Sequence, residues 1–378
     1  MARRLSTLAP GKTIVARLGG DEFVVLLDDI DAGAGPHTAT TMADQVHTAL
    51  SSPFRVDDIG YVLTASIGVT LFRGTNERVD DLLREADTAM YSAKANGRNR
   101  TAFFEPAMYR QAEERLAMEH TLAEAVAARQ FTLHAEPRVD RKGREQGCEL
   151  LLRWMHPLYG DVAPARFIPV AEATGQIIPL GEWVIEQACR ALLRLAAAGC
   201  EHTLSVNVSP RQFHDDDFVE QVCRIVQHIG APAGRLIFEI TEGVLIENWK
   251  TAAARMATLA ELGIRFSIDD FGTGYSSLAY LKRLPIYELK IDRSFVQDIP
   301  DDASDRAIVQ AILLVARHLD LHVCAEGVET KAQADFLKEN DCGSMQGYLF
   351  GRPMPLEAWL ASACRGEGSE PLPRFTAP

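Results

Sequence analysis

Asp269 and Asp270 end an apolar run and are followed at once by Phe271-Gly272-Thr273-Gly274-Tyr275-Ser276-Ser277-Leu278. Adjacent buried carboxylates raise each other's pKa until a cation neutralises them, and hard oxygen donors favour magnesium, manganese or calcium. The competing reading is an acidic helix cap, because Asp is a common N-cap and Ser276-Ser277 could open a helix. Other polar residues are embedded in apolar runs in the same way. Glu149 precedes Leu150-Leu151-Leu152, Asn207 closes Ser-Val-Asn-Val, and Glu239 and Glu242 lie in Ile-Phe-Glu-Ile-Thr-Glu. Lys290 and Asp292 frame Lys-Ile-Asp, Glu326 and Glu329 follow Val-Cys-Ala, and Gln346 precedes Gly-Tyr-Leu-Phe-Gly. An unpaired charge among such neighbours costs several kcal/mol, so a random scatter of surface acids does not account for the pattern.

Carboxylates, one Asn and one Lys on a common rim suit metal-assisted hydrolysis. Two cations roughly 3.5–4 Å apart would activate water and stabilise charge on a phosphoryl group. Among carboxylates Lys290 would keep its proton and position water or a phosphate oxygen; the alternative is a salt bridge inside the fold. Arg153 offers a guanidinium that can hold two phosphate oxygens, or a surface ion pair. The histidines lack metal-ligand spacing, since His318 and His322 straddle a helix-to-strand turn.

Short β-type runs alternating with helical stretches would bring these residues together. The strands are Phe131–Ala135, Cys148–Leu152, Leu204–Val208, Leu236–Ile240, Arg265–Ile268, Glu288–Ile291, His322–Ala325 and a weaker one at Met345–Leu349. Helical patterns cover Pro179–Ala198, Asp217–Ile229, Lys250–Leu262, Ala303–Leu319 and Lys331–Asn340. This is the scale of a (β/α)8 TIM-like barrel, whose C-terminal strand ends form one rim. The fold class expected is α/β, with the barrel at 130–365, a helical connector at 106–129, a partial α/β domain at 1–105 and a flexible tail at 366–378. In the first domain Thr13–Arg17 and Phe23–Leu27 form a hairpin about Gly19-Gly20-Asp21-Glu22, followed by a helix over Thr38–Leu50, a strand over Val62–Leu71 and a helix over Val79–Asn96.

Composition narrows the partners. A net charge of -13 argues against a nucleic-acid polymer, which binds through basic surface. No apolar run reaches the roughly 18 residues needed to span a bilayer, and no signal peptide is apparent. Seven cysteines, odd in number and without CxxC spacing, disfavour a disulfide framework or a zinc site; a cytoplasmic location is expected.

These motifs carry a resemblance. Glu149-Leu-Leu-Leu-Arg-Trp154, Phe167-Ile-Pro-Val-Ala-Glu172, Asn207-Val-Ser209, Glu239-Ile-Thr-Glu242, Asp269 to Leu278, Lys290-Ile-Asp292, Glu326-Gly-Val-Glu329 and Gln346-Gly-Tyr-Leu-Phe350 occur in the order of the EAL family of cyclic di-GMP phosphodiesterases, which residues 115–360 resemble. The resemblance implies hydrolysis of cyclic di-GMP to linear pGpG with two magnesium or manganese ions per site. It implies that Glu149, Asn207, Glu239 and Asp269 bind one metal, that Asp269 and Asp270 bind the other with Glu326 in its shell, and that Lys290 contacts the attacking water. Asp292, Glu329 and Gln346 would complete the surroundings, Arg153 and Glu136 would face substrate, and Glu242 would hold the loop after Asp270 that couples the site to a homodimer through the EAL domain. Two departures stand out. Leu150 replaces the signature's Ala, and Glu136 in Ala135-Glu136-Pro137-Arg138 replaces a Gln that contacts substrate, placing an acid near an anionic ligand.

Residues 1–105 resemble the C-terminal half of a GGDEF, or diguanylate cyclase, domain through Arg17-Leu-Gly-Gly-Asp-Glu-Phe23 and Ala89-Met-Tyr-Ser-Ala-Lys-Ala-Asn-Gly-Arg-Asn-Arg100. The strand with that family's first metal-binding Asp has no counterpart, and Pro10 to Thr13 do not match its RxxD motif. No cyclase activity is expected, and the hairpin is left with apolar edges that either an upstream segment or another chain would cover. The leading reading is a metal-dependent cyclic di-GMP phosphodiesterase. The rivals are an inactive EAL-like receptor or protein-interaction module, and another phosphohydrolase on the same barrel.

Overall fold

In the strands after residue 130, successive side chains meet opposite surroundings, as the two-residue period of a strand requires. Leu204, Val206, Phe238, Ile240, Phe266, Ile268, Leu289 and Ile291 join one hydrophobic core, whereas the alternating Ser205, Asn207, Glu239, Ser267, Asp269, Glu288 and Lys290 do not. The apolar set faces helices and the polar set faces inward. Each fully buried Leu, Ile or Phe on the outer set contributes about 1.5–3 kcal/mol.

The computed structural model describes residues 1–8, 13–28, 30, 33–56, 59–73, 77–157, 159–244, 249–272 and 281–364. The chain divides into two units, Met1–Ala117 and Met118–Pro378. Thr273 to Leu278, and with them the helix start at Ser276-Ser277, lie outside the described residues, as do Pro10 to Lys12 and the tail at 366–378.

In the second unit eight strands close a barrel: β1 (Phe131–Asp140), β2 (Glu145–His156), β3 (Thr203–Asn207), β4 (Leu236–Thr241), β5 (Arg265–Phe271), β6 (Glu288–Ile291), β7 (His322–Ala325) and β8 (Ser344–Gln346). From β2 to β8 neighbours run parallel, with helices such as Ile177–Ala197, Phe218–Ile229, Trp249–Glu261, Ala303–His318 and Lys331–Glu339 between them. These are the expected elements to within a few residues. One strand departs from the parallel run of a regular (β/α)8 barrel: β1 pairs antiparallel with both β2 and β8. A tight hairpin reverses the chain. Asp140 Oδ1 accepts the amides of Lys142 and Arg144 at 2.7 and 2.9 Å, and Gly143 takes a φ of 77°. The register then sets Glu136 opposite Glu149, and Arg138 opposite Gly147 near the barrel's other end.

That other end holds a buried polar layer which local sequence reading did not anticipate. Arg138 is 4% exposed, and its Nη1 donates to Glu288 Oε1 at 2.8 Å while Nη2 donates to Thr203 Oγ1 at 3.0 Å. Ser267 Oγ donates to the same Glu288 oxygen at 3.2 Å.

In the first unit the hairpin forms at Ile14–Gly19 and Glu22–Leu26, with helices at Gly35–Ser51 and Val79–Ala95. Of the single strand expected over Val62–Leu71, only Ile67–Val69 forms. Ile59–Tyr61 pairs antiparallel with Phe54–Val56, whereas Ile67–Val69 pairs parallel with Thr101–Phe103. Residues 62–66 between these two pieces join no ladder. Gly68 fixes the second piece, because a Cβ there would stand 1.9 Å from the Ala86 carbonyl on the neighbouring helix. No helix among the described residues is long and apolar enough to cross a membrane.

The Arg138–Glu288 pair yields a stability test. All four tryptophans, Trp154, Trp183, Trp249 and Trp359, lie in the second unit, so their fluorescence reports its unfolding in urea. Arg138→Met should cost about 3–5 kcal/mol by stranding Glu288, and Arg138→Met with Glu288→Leu should recover most of the loss. A single variant within about 1 kcal/mol of wild type would refute the pairing.

Candidate functional site

Seven strands or strand ends each deliver a polar side chain to the same end of the barrel interior. Parallel register sets Glu149 of β2 beside Ser205 and Asn207 of β3 beside Glu239 of β4. Thr241 at the end of β4 pairs with Asp269 of β5. Lys290 comes from β6, Glu326 follows β7 and Gln346 ends β8.

Lys290 is the centre. Only 1% exposed, its Nζ lies 2.5 Å from Glu326 Oε1, 2.6 Å from Glu239 Oε2, and 3.2 Å from both Glu149 Oε2 and Asp269 Oδ1. Burial alone would lower its pKa, but the carboxylates, Glu149 foremost, outweigh burial and hold it well above the usual lysine value. The two readings of Lys290 therefore meet in one arrangement, an interior salt bridge located at the site itself.

Asn207 Nδ2 donates to Glu149 Oε1 and Gln346 Nε2 to Glu149 Oε2, both at 2.6 Å. Burial works against ionising Glu149, but Lys290 and these amides prevail and lower its pKa. Glu239 is driven the other way, by burial first and then by Glu149. Glu326 is raised to about 8, chiefly by burial, with Lys290 opposing and Asp269 adding to the rise. Gln346 also donates to Glu326 Oε1 at 3.3 Å. Gly347 is needed just after it, because a Cβ there would stand 2.3 Å from the Val328 amide nitrogen in the loop that carries Glu326.

Consecutive strand residues normally face opposite sides, yet Asp269 and Asp270 converge. The register shifts between Ile268 and Phe271, and Asp270 adopts a φ of 54°, a conformation that Asp tolerates better than most residues. Ligand oxygens of Asp269, Asp270 and Glu326 consequently lie within 4.8 Å of one another. Burial, then Asp269 and Asp292, raise the Asp270 pKa.

The remaining expected residues surround this cluster at varying removes. Asp292 caps the turn Arg293–Val296, accepting the Ser294 amide at 3.0 Å. Glu329 is exposed and pairs with Arg293 at 2.7 Å, outside the cluster. Glu242 has both carboxylate oxygens buried without a hydrogen-bond partner among the described residues. Arg153 follows Glu149 by four residues on β2, and its Nη1 donates to the Leu152 carbonyl at 2.9 Å. Its charge acts on Glu136, whose pKa rises to about 7 through burial first and Glu149 second, with Lys290 and Arg153 opposing.

The donor set fits a divalent cation. Five carboxylates, Glu149, Glu239, Asp269, Asp270 and Glu326, surround one ammonium, and Glu239 Oε1 is buried without a hydrogen-bond partner among the described residues. All donors are hard oxygens, apart from the amides that hold Glu149.

Residues 119–353 match the EAL domain family, and residues 1–100 match the diguanylate cyclase, GGDEF domain family. The chain is 42% identical over 364 residues to the bifunctional diguanylate cyclase/cyclic di-GMP phosphodiesterase MucR of Pseudomonas aeruginosa, covering 96% of this chain and 53% of that protein. It is 41% identical over 376 residues to the cyclic di-GMP phosphodiesterase NbdA of the same species, covering 98% and 48% respectively. The chain thus spans about half the length of these curated relatives. A solved structure of the PaMucR phosphodiesterase in complex with c-di-GMP matches 64% of this chain and 99% of its own, with a TM-score of 0.62 and 43% identity.

The raised carboxyls predict how the cation-free chain responds to pH. Glu326 binds its proton more tightly folded, at about 8, than at the ordinary 4.5, so its contribution is fully present below about 4.5 and lost as pH rises through about 8. Glu136 adds a loss centred near 7. In chelator, the urea midpoint followed by tryptophan fluorescence should fall between about pH 5 and 8.5, and Glu326→Gln should flatten that fall. An unchanged slope in Glu326→Gln would contradict the assignment.

Proposed function

The chain belongs to the EAL domain family, and from that premise we propose that it is a metal-dependent phosphodiesterase opening cyclic di-GMP to linear pGpG. The observation that carries the proposal is the convergence of four carboxylates on one buried lysine, with Asp270 beside two of them, in a domain 43% identical to a phosphodiesterase solved with c-di-GMP. Glu149, Asn207, Glu239 and Asp269 would hold one magnesium or manganese ion; Asp269 and Asp270, with Glu326 beside them, would hold a second. Such ions supply a water of lowered pKa and neutralise charge on the scissile phosphate.

The protein's own groups do the positioning. Lys290 keeps its proton at neutral pH, so it acts as a donor that orients water and a phosphate oxygen rather than as a base. Gln346 and Asn207 tie down both oxygens of Glu149, fixing the direction in which its remaining lone pairs face. Asp292 sets the local field at Asp270, and Glu329 with Arg293 steadies the loop beside Glu326. Arg153 would grip the substrate's phosphates, with Glu136 next to it on β1. Glu242 would anchor the loop after Asp270 through its buried carboxylate.

A second reading, an EAL-like receptor that binds cyclic di-GMP without turning it over, is favoured by one observation: Glu136 brings an acid to the substrate side. Chromatography of linear pGpG released in magnesium or manganese separates the two. Turnover should fall more than about a hundredfold in Asp269→Asn with Asp270→Asn; equal rates in wild type and double variant would overturn the enzyme reading. Glu136→Gln should lower KM by about threefold to tenfold, about 1 kcal/mol of relieved repulsion, with a smaller change in kcat. We further propose a cytoplasmic homodimer, in keeping with seven free cysteines and the family likeness. Sedimentation of the whole chain at micromolar concentration should return twice the 41.6 kDa chain mass.

A further inference from the structure

At the barrel end away from the carboxylate cluster, the short loop before β3 holds an array that the phosphodiesterase chemistry does not use. Cys200 Sγ lies 2.6 Å from His202 Nδ1, and His202 Nε2 lies 3.1 Å from the backbone carbonyl of Glu145. A carbonyl can only accept, so the imidazole proton resides on Nε2 and the Nδ1 lone pair faces the sulfur. Nucleophile, base and a third group orienting the base are thereby aligned, the arrangement that activates a cysteine in covalent chemistry. Both side chains are half-buried and so retain a path to solvent.

The loop is held from several sides. The Cys200 amide donates to the Leu195 carbonyl at 2.9 Å, and Arg235 Nη1 donates to the Cys200 carbonyl at 2.6 Å. The His202 ring packs against Trp359 with centroids 5.8 Å apart. Charged neighbours are few: Arg235, its partner Glu201 at 3.7 Å, and Glu145. Burial lowers the His202 pKa, which favours the neutral imidazole whose Nδ1 lone pair faces the sulfur. The other cysteines differ. Cys148, Cys189, Cys324 and Cys342 are buried, with burial raising each thiol; burial raises Cys223 as well, and Cys364 is exposed.

We infer that Cys200 is a reactive thiol, activated by His202, that undergoes exchange with small-molecule disulfides. The Cys200 proton passes to His202 Nδ1 as Sγ attacks one sulfur of the disulfide. A new S–S bond forms, the reagent's S–S bond breaks, and the departing thiolate takes the proton back from His202. One half of the reagent is left on the protein and the other leaves as a thiol.

Glutathione disulfide with the whole chain tests this, the mixed disulfide at each cysteine being quantified by peptide mass over time. At about pH 7 Cys200 should react about tenfold faster than the more exposed Cys364. Between about pH 6.5 and 8 its rate should change less than about threefold, while the Cys364 rate climbs steeply, as for a thiol that must ionise before it attacks. His202→Gln should slow Cys200 to about the Cys364 rate and restore the steep pH slope there, leaving Cys364 unchanged. The wild-type profile alone decides the matter if that variant misfolds. A Cys200 rate no greater than that of Cys364, or one with the same pH slope, would overturn the inference.

Discussion

Everything at the rim depends on one ammonium group held among carboxylates. Lys290 is almost wholly removed from water, and four carboxylate oxygens approach it within 3.2 Å. Taking such charges out of water costs several kcal/mol each, and their mutual attraction repays that cost only where geometry is tight and further donors are present. The closed barrel supplies that geometry. Glu149, Glu239, Asp269, Lys290 and Glu326 come from different strands or strand ends, and parallel register, not local chain, brings them together. One lysine against four contacting carboxylates, with Asp270 beside them, leaves the cluster under-neutralised, so cation binding there would be linked to folding of this region.

The opposite end of the barrel shows the same physics brought to balance. Arg138 pairs with one acid, Glu288, and Thr203 and Ser267 add hydrogen bonds to the pair. One cation against one anion needs no external ion. The two layers share strands, since Glu288 and Lys290 lie two residues apart on β6, and Arg138 and Glu136 two apart on β1. Charge stoichiometry, not burial, separates the two layers, because Arg138 and Glu288 at one end and Glu149, Glu239 and Lys290 at the other are all buried.

Much of this was legible from period and punctuation. The strand cores read from Leu-Ser-Val-Asn and Ile-Phe-Glu-Ile-Thr survive as β3 and β4, because an apolar residue at alternate positions can face only the helices. What escaped reading is non-local or conformational. Arg138 and Glu288 are 150 residues apart, and no local pattern announces the pair. The left-handed turn at Asp270 depends on a bulge created by the neighbouring strand. The reversal of β1 did carry a signal, since Asp140-Arg141-Lys142-Gly143 is turn chemistry, but a repeating βα pattern outweighed it. In the first unit the apolar stretch Val62–Leu71 looked like one strand, yet only Ile67–Val69 pairs, because composition does not record where a partner strand will lie.

The reversed first strand also governs the residue that departs most from the family pattern. Antiparallel register sets Glu136 directly opposite Glu149, so each carboxylate feels the other. The burden falls unequally. Glu149 is held ionised by Lys290, Gln346 and Asn207, whereas Glu136 has no comparable donors and takes the proton, with its pKa near 7. A protonated Glu matches Gln in shape and offers a donor, so in the cation-free site Glu136 is for part of the time a stand-in for the amide it replaces. A cation held by Glu149, as proposed, would reverse the sign of the nearest field at Glu136 and draw that proton off. The charge Glu136 presents to an anionic ligand is therefore set by how fully the neighbouring cluster is neutralised, and not by Glu136 alone.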